Sequence, residues 1–306
     1  MKQPRHIFLT GATGFIWSHI IKRLLSKWNK ISILLRKESN TKRVKEYIKN
    51  GSVQIVFEDK IEYFFKNNTP DAVIHLATVY KKQHKKSDIH DMIIGNIEWP
   101  THLAQLCVNH WVKYFINTGT FFEYELNSST IITEQTKEKA YNLYASTKLA
   151  LNETLQFFSE KHNLKIINLK MFSPYGEDDN LKLIPILTQK LIKWEEISLI
   201  NQSLCFTYID DIVDAYSQSL DYFPVMKNNY EVFNIASPST KISEIVNILE
   251  KISNKKLNIT DNLYQETTEA DVFCNTQKAE ELLWWKSKTS LENWLKLTYN
   301  FYKNEI

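Results

Sequence analysis

Glycine and arginine are both scarce in this chain. Only 6 of its 306 residues are glycine, which is about 2% where proteins average near 7%. The four arginines are Arg5, Arg23, Arg36 and Arg43, so none lies in the last 263 residues. Turns and anion sites beyond residue 43 must therefore rely on Asn, Asp and Lys, and lysine offers a point charge without the planar fork of arginine.

Cysteine and metal-ligating patterns are also sparse. The three cysteines, Cys107, Cys205 and Cys274, lie far apart with no Cys-x-x-Cys pair, so neither a disulfide framework nor a cysteine zinc site is indicated. We interpret them as small apolar residues of the core. The eight histidines show no His-x-x-x-His spacing, and we expect no metal site.

The sequence contains no long apolar run and no block of one charge. No stretch approaches the roughly 18 to 20 apolar residues of a membrane span, and the first strand is too short for a signal peptide. The formal net charge is +3, with lysines scattered among acidic residues. We therefore expect no nucleic-acid partner and no membrane partner. A hydrophobic content of 43% predicts a large core in a cytoplasmic protein.

Short apolar runs of β type alternate with longer amphipathic stretches. Predicted strands cover residues 7–9, 31–35, 53–57, 72–77, 114–118 and 165–171, and predicted helices cover 16–27, 41–49, 88–109, 141–161, 184–194 and 209–220. This alternation favours an α/β fold in which helices cover a parallel sheet. We expect a dinucleotide-binding domain over 1–170 plus about 205–238, and a smaller lobe over about 171–204 and 239–306.

A glycine-containing loop follows the first predicted strand. Gly11 and Gly14 lie between Ile7–Leu9 and a helical stretch, where the backbone can approach a pyrophosphate and the helix dipole favours negative charge. The third glycine of the Gly-x-x-Gly-x-x-Gly fingerprint is replaced by Trp17. Two interpretations remain open: small residues opposite the indole accommodate it, or it weakens the cofactor site.

The segment Tyr144-Ala-Ser-Thr-Lys148 supplies an acid suited to hydride transfer. The Tyr-x-x-x-Lys pattern alone is weak, because 15 tyrosines among many lysines produce it by chance, and Tyr299/Lys303 is a second instance that we assign to solvated surface. On the predicted helix the first pair shares one face. We expect Lys148 to lower the pKa of Tyr144 and Thr118 to orient the substrate carbonyl.

The end of the second predicted strand bears on cofactor choice. An acidic residue there binds the ribose hydroxyl of NAD, whereas a basic one accommodates the 2′-phosphate of NADP. The chain reads Arg36-Lys37 at this point, which favours NADP, with NADPH as the working form and NAD still possible.

Several motifs in order resemble the extended short-chain dehydrogenase/reductase family acting on nucleotide sugars. The motifs are Gly11-x-x-Gly14, His75-Leu76-Ala77-Thr78, Asn96, Thr118, Tyr144/Lys148, Pro174-Tyr175-Gly176 and Phe206-Thr-Tyr-Ile-Asp-Asp211. The resemblance implies a Rossmann-type doubly wound parallel sheet with a smaller α/β C-terminal substrate lobe. Residues 74–80 and 115–122 look most like the reductases that make CDP-3,6-dideoxyhexoses such as abequose and paratose.

The resemblance also implies roles for individual residues. The implied catalytic residues are Thr118, Tyr144, Lys148 and Asn96, the last as an auxiliary polar group. The implied cofactor-binding residues are Gly11, Thr13, Gly14, Phe15, Ile16, Arg36, Lys37, Asp59, Lys60, Leu76, Ala77, Thr78, Tyr144 and Lys148. The implied substrate-binding residues are Tyr80, Thr120, Ser173 and Tyr175.

The function that these features predict is NADPH-dependent reduction of a 4-keto group on a CDP- or dTDP-linked 6-deoxyhexose, for surface-polysaccharide sugar synthesis. Gly119-Thr120 stands where dehydratases of the family carry Asp-Glu, which disfavours water elimination. A 4-epimerase with tightly held NAD is one alternative. Another is a catalytically impaired binding subunit, because Trp17, Leu204 and Glu266 replace expected glycine and arginines and Trp284 replaces a common glycine. The resemblance suggests a homodimer through the helices bearing Asn96 and Tyr144.

Overall fold

A seven-stranded parallel sheet forms the centre of the protein. The structure is a computed structural model, and it describes residues 5–128, 130–179, 182–260 and 270–305. Its strands are β1 (His6–Thr10), β2 (Lys30–Leu35), β3 (Gln54–Phe57), β4 (Ala72–His75), β5 (Tyr114–Thr120), β6 (Lys165–Met171) and β7 (Tyr230–Ile235). The order across the sheet is β7-β6-β5-β4-β1-β2-β3, and every neighbouring pair is parallel. The predicted Rossmann-type α/β fold is confirmed.

Helices connect these strands. They are α1 (Phe15–Leu25), α2 (Lys45–Lys49), α3 (Ile61–Asn68), α4 (Asp88–Ile93), α5 (Trp99–Asn109), α6 (Leu143–His162), α7 (Leu183–Lys193), α8 (Ile209–Tyr222), α9 (Ile242–Ser253) and α10 (Leu291–Glu305). A π-helical turn at Ile94–Glu98 joins α4 to α5, so the helix predicted over 88–109 runs through with one widened turn. A second π turn spans Ala279–Leu283, and 3-10 turns occupy Lys42–Val44, Glu58–Lys60, Phe121–Glu123 and Phe223–Val225.

The sheet is buried on both faces because successive side chains of each strand point to opposite sides. In β1, Ile7 and Leu9 enter one apolar cluster while Phe8 enters the other. In β5, Ile116 and Phe115 divide in the same way. The continuous apolar runs that predicted strands are therefore buried from both sides.

Residues beyond β6 contribute to both the sheet and a second layer of structure. β7 returns to the sheet edge beside β6, and α8 packs against α1. Helices α7, α9 and α10 pack against one another. Four two-residue strand pairs complete this half: Ile131–Ile132 with Phe273–Cys274, Pro174–Tyr175 with Thr207–Tyr208, Glu196–Ile197 with Asn258–Ile259, and Ser203–Leu204 with Thr240–Lys241.

A charged pair is buried behind the end of β5. The Nζ of Lys170 lies 3.2 Å from Glu123 Oε2, and the two side chains are 1% and 0% exposed. Glu123 also accepts hydrogen bonds from the Asn152 amide at 2.8 Å and the Thr120 backbone N–H at 2.7 Å. Burial raises the pKa of Glu123, and the Lys170 ammonium is the largest opposing influence. The pair thus fixes the backbone where β5 ends.

Removing Lys170 leaves the buried Glu123 carboxylate with two hydrogen bonds but no opposite charge, and it also removes the ion pair of Lys170 with Glu138 at 2.5 Å. We expect Lys170→Met to lower the free energy of unfolding by about 3–5 kcal/mol. The matched control is Lys139→Met, because Lys139 pairs with Glu125 at 2.9 Å but is 66% exposed, and its loss should cost less than about 1 kcal/mol. Urea unfolding at neutral pH measures both, and equal losses would contradict the structural role of the Lys170 pair.

Candidate active site

The predicted site residues gather at the carboxyl ends of β1, β4 and β5. Chain order reverses between β1 and β4, since β2 and β3 lie on one side of β1 and β4 to β7 on the other. Ligands of doubly wound folds bind outside the carboxyl ends of the strands at such a reversal.

The glycine loop lies directly against the end of β4. Gly11 has φ of +74°, and a Cβ on it would meet the Ala77 nitrogen at 2.6 Å. The Gly14 N–H donates to the Gly11 carbonyl at 2.9 Å, and α1 begins at the next residue. The loop is therefore as close to Leu76 and Ala77 as backbone can be, and its geometry fits a dinucleotide pyrophosphate at the start of α1.

Trp17 is housed inside the core. Its side chain is fully buried in the cluster that includes Ala12 and Ala215, and α1 runs without a break from Phe15 to Leu25. The indole Nε1 of Trp17 has no hydrogen-bond partner. The fold accommodates the indole, and a buried polar atom is left unpaired.

A cavity of about 350 Å³ lies where β2 and β3 end. Its lining residues are Arg36, Lys37, Glu38, Phe57, Glu58 and Asp59. Three of the predicted cofactor residues thus come together, and Lys60 follows them as an exposed residue in the same 3-10 turn. The lining thus combines two basic side chains with three acidic ones at the sheet edge where doubly wound folds hold the ribose of a dinucleotide.

Tyr144 and Lys148 lie on α6 and are 8% and 1% exposed. The Nζ of Lys148 is 6.0 Å from the centroid of the Tyr144 ring. Burial lowers the pKa of Lys148 to about 8, and it raises that of Tyr144 well above its usual 10.0, while a hydrogen bond with Thr78 acts in the opposite direction. The predicted lowering of the Tyr144 pKa therefore does not hold here, because burial, followed by the Glu123 carboxylate, raises it.

Thr118 takes part in a chain of hydrogen bonds between strand ends. Its hydroxyl donates to the His75 carbonyl at 2.8 Å and lies 2.7 Å from the Tyr216 hydroxyl on α8. The His75 Nδ1 lies 2.8 Å from Thr10 Oγ1, and burial lowers the pKa of His75 to about 3. The single proton of the Thr118 hydroxyl is thus occupied within the protein.

Thr120 is the last residue of β5, two residues beyond the predicted strand end. Its hydroxyl accepts a long bond of 3.4 Å from the Phe122 N–H, and within the described residues its own proton is not donated to a partner. Since side chains two apart on a strand share a face, Thr118 and Thr120 point to the same side of the sheet.

Asn96 lies in the π-helical turn and is fully buried. Its Oδ1 accepts from Thr78 Oγ1 at 3.0 Å and from the Val79 N–H at 2.7 Å. Its Nδ2 donates to the Val79 carbonyl and to Thr147 Oγ1, both at 3.0 Å. Asn96 therefore joins the loop after β4 to α6, the helix that carries Tyr144.

The predicted substrate residues differ in accessibility. Tyr80 is 42% exposed, and its ring packs edge-on to Tyr144 with centroids 4.9 Å apart. Ser173 is half-buried with φ of 31°. Tyr175 is 1% exposed and packs against Tyr208 and Trp294, so its burial does not support a direct substrate contact.

Sequence reasoning missed Arg43. Its guanidinium donates to the Thr13 carbonyl at 3.1 Å and pairs with Asp178 Oδ2 at 2.5 Å. It thus joins the glycine loop to the segment after β6, 135 residues away. No motif marks this arginine; its position among the only four could have drawn attention to it.

The positions that departed from the family pattern near the diphosphate can be placed in part. Leu204 is half-buried and pairs with Thr240 in a short antiparallel ladder, while Glu266 lies outside the described residues. Lys182, just before α7, has its Nζ 4.8 Å from the centroid of the Tyr80 ring. Burial lowers the pKa of Lys182. This lysine places a cation at the mouth of the site.

Four predictions concern features outside the site. Cys107 and Cys205 are buried and Cys274 is half-buried, all as free thiols. Among the described residues no group of three or more His, Cys, Asp or Glu could hold a metal ion, and none of their helices is long and apolar enough to cross a membrane. Tyr299, assigned to solvated surface, is instead 6% exposed on the inner side of α10, so that assignment was wrong.

Comparison with known proteins identifies the family. The model of the NAD dependent epimerase/dehydratase family matches residues 7–236. The chain is 27% identical to CDP-abequose synthase of Salmonella muenchen over 300 residues, covering 95% of this chain and 96% of the relative. It is 23% identical to UDP-glucose 4-epimerase of Caenorhabditis elegans over 329 residues, covering 94% of each.

Solved structures show the same fold. UDP-glucuronic acid 4-epimerase of Bacillus cereus, crystallised with UDP-glucuronic acid and NAD, aligns with a TM-score of 0.86 at 23% identity, over 98% of this chain and all of the other. The glycine loop, the buried Tyr144/Lys148 pair and the match over three quarters of the sequence lead to one conclusion. The protein belongs to the NAD-dependent epimerase/dehydratase family of nucleotide-sugar enzymes.

Proposed function

We propose that the protein reduces the 4-keto group of a CDP- or dTDP-linked 4-keto-6-deoxyhexose with NADPH, in the synthesis of surface-polysaccharide sugars. The observation that carries the proposal is the buried Tyr144/Lys148 pair beside the glycine loop. The similarity to CDP-abequose synthase supports the sugar class, and the Arg36/Lys37 cavity supports the phosphorylated cofactor.

The residues fit the dinucleotide, because Gly11 leaves space that any Cβ would fill and α1 begins just beyond it. When bound, the nicotinamide supplies the hydride that reaches C4 of the sugar. Tyr144 would donate its phenolic proton to the oxygen on C4, so that hydride and proton together convert the ketone into an alcohol. Its raised pKa keeps that proton in place at neutral pH until the oxygen gains negative charge.

We assign the hydrogen bond to the substrate carbonyl to Thr120, together with or in place of Thr118. The Thr118 proton is already donated to the His75 carbonyl, whereas Thr120 has a free one. Thr118 then has a structural role, because its hydrogen bonds to His75 and Tyr216 connect the ends of β4 and β5 to α8. Asn96 positions α6 by its bonds to Val79 and Thr147.

Lys182 is our candidate for the diphosphate contact. Its ammonium lies over the Tyr80 ring, and that ring packs on Tyr144, so the cation faces the entrance to the reaction centre. Burial opposes its charged form, and an anionic ligand would restore it. Residues 171–204 and 239–306 would form the substrate lobe. The protein would act in the cytoplasm as a homodimer through the helices bearing Asn96 and Tyr144.

A 4-epimerase is the second candidate, because UDP-glucose 4-epimerases are also among the curated relatives at 23% identity. The same groups would then oxidise and re-reduce one carbon with a retained NAD. The third candidate is an impaired binding subunit, suggested by Trp17 and Leu204.

One set of assays separates the three candidates. The protein is titrated with NADPH while nicotinamide fluorescence is recorded, and it is then supplied with CDP-4-keto-6-deoxyhexose and NADPH, or with UDP-glucose. Consumption of one NADPH per sugar reduced supports the reductase. Interconversion of UDP-sugars with no net cofactor use supports the epimerase. Absence of both saturable NADPH binding and UDP-sugar interconversion leaves the binding subunit.

Replacing the proton donor tests the mechanism. Tyr144→Phe should lower kcat by about 10²- to 10⁴-fold with little change in NADPH affinity, because only the phenolic proton is lost. Tyr299→Phe is the matched control, since it alters the other Tyr-x-x-x-Lys pair on α10 and should leave kcat unchanged. Steady-state kinetics measures both, and equal kcat values for the two variants would rule out Tyr144 as the acid.

The basic residues of the β2 end test cofactor choice. The double variant Arg36→Ala/Lys37→Ala should raise the Kd for NADPH by about tenfold or more and leave that for NADH nearly unchanged, because only the 2′-phosphate is lost as a partner. Lys30→Ala, at the opposite end of β2, serves as the control. A parallel loss of NADH and NADPH binding, measured by fluorescence titration, would contradict the assignment.

The pKa of Lys148 sets a pH dependence. Since burial lowers it to about 8, the ammonium is present below that pH and lost above it, and kcat/KM should fall as pH rises through about 8. In Lys148→Arg the guanidinium keeps its charge at every working pH, so the fall should move to higher pH even if the rate is lower. An identical falling limb in both proteins would show that another group controls the profile.

A further inference from the structure

Four tryptophans have a backbone conformation that ordinarily belongs to glycine. The φ angles of Trp28, Trp111, Trp194 and Trp284 are 62°, 59°, 57° and 55°. For a bulky L residue this left-handed region is an outlier, because Cβ crowds the neighbouring carbonyl. These four make up half of the eight non-glycine residues with positive φ in the described part of the chain.

Each of the four follows the end of a helix. The Trp111 N–H donates to the Val108 carbonyl at 3.3 Å, and the next N–H, that of Val112, donates to the Cys107 carbonyl at 2.9 Å. This pair of bonds is the Schellman motif, whose left-handed residue is usually glycine. The bonds of Trp28 and Asn29 to Leu25 and Leu24 repeat it after α1.

Other helices of the same chain end in the ordinary way. α2 is followed by Gly51 with φ of +72° and the same pair of bonds. α6 and α9 end at Asn163 and Asn254, with φ of 56° and 54°. Glycine and asparagine tolerate this conformation. The helix ends of this protein therefore require a left-handed backbone, which is unfavourable for tryptophan.

The four indoles add nothing that would offset the strain. They are 85%, 86%, 70% and 70% exposed for Trp28, Trp111, Trp194 and Trp284 in turn, and a side chain in solvent contributes little burial. A tryptophan retained for stability would be packed. These positions need a left-handed backbone, and the side chain is superfluous.

Trp17 and Trp285 provide a contrast inside the core. Both are fully buried, and buried indoles normally find an acceptor for their N–H. Trp285 donates to the Asp211 carbonyl at 2.7 Å, whereas the indole N–H groups of Trp17 and of the buried Trp294 have no partner among the described residues, so the unpaired N–H alone does not distinguish Trp17. Trp17 also stands where the dinucleotide fingerprint places its third glycine. Trp285 behaves as a native tryptophan, and Trp17 resembles the four exposed ones.

We propose that positions 17, 28, 111, 194 and 284 are glycine in the protein made by its source organism, because they are encoded by UGA. Genetic codes differ in how they read this codon, and some read it as tryptophan while others read it as glycine, so a single codon can yield either of these two residues. The scarcity of glycine, 6 of 306 residues, has this origin in part, because the five exchanges would raise the number of glycines to 11. Trp285 is then a true tryptophan encoded by UGG.

The assignment of glycine to position 17 changes how well we expect the site to bind a dinucleotide. Glycine at position 17 completes the Gly-x-x-Gly-x-x-Gly fingerprint, whose third glycine permits close packing of the first helix on the sheet. One of the main reasons to regard the protein as an impaired binding subunit is thereby removed.

The gene and the natural protein provide the decisive test. We expect UGA at codons 17, 28, 111, 194 and 284 and UGG at codon 285. Peptide mass spectrometry of the protein isolated from its source should give glycine masses at those five positions and tryptophan at 285. UGG at the five codons, or peptides that carry tryptophan there, would overturn the proposal. Neither readout depends on any enzymatic activity.

Recombinant variants test the physical argument separately. Replacing the four exposed tryptophans by glycine should raise the Tm by roughly 5–10 °C in total, because the left-handed strain is relieved. Trp17→Gly should lower the Kd for dinucleotide by roughly tenfold. Trp285→Gly, the control, should lower the Tm. A fall in Tm for the fourfold variant comparable to that of the control would contradict the argument.

Discussion

The active site depends on the close approach of two backbones, the glycine loop after β1 and the end of β4. A Cβ on Gly11 would be 2.6 Å from the Ala77 nitrogen, so no other residue fits without moving a strand. Because β1 and β4 are adjacent and parallel at the reversal of the sheet, this contact brings the anion-binding loop next to the residues that follow β4. The other contacts of the site surround this close approach of the two backbones.

Buried polar contacts hold the rest of the site in register. Thr10, His75, Thr118 and Tyr216 form one chain of bonds across three strand ends and α8. Asn96 joins the loop after β4 to α6, and Glu123 with Lys170 fixes the end of β5. Most of these bonds join residues that are far apart in sequence. In a low-dielectric interior such bonds resist rearrangement because breaking one leaves a buried group unpaired.

The sequence predicted which residues could carry the reaction, but it did not predict the burial and hydrogen bonds of those residues. Tyr144 and Lys148 were identified by their spacing and position, yet the direction of the Tyr144 pKa was wrong, because burial depends on what surrounds the phenol. Thr118 was identified at a strand end, but its hydroxyl is used by His75. Arg43 carries no motif, and its partner Asp178 is 135 residues distant.

The sequence by itself determined the α/β architecture, because apolar periodicity and glycine spacing are local properties that follow from strand and helix geometry. It also determined the family through the order of its motifs. Only the tertiary structure decided which hydroxyl is free at the end of β5, which charges are buried, and that four tryptophans lie in left-handed backbone. Those features arise from contacts and torsions between segments distant in the chain, and a residue pattern does not record them.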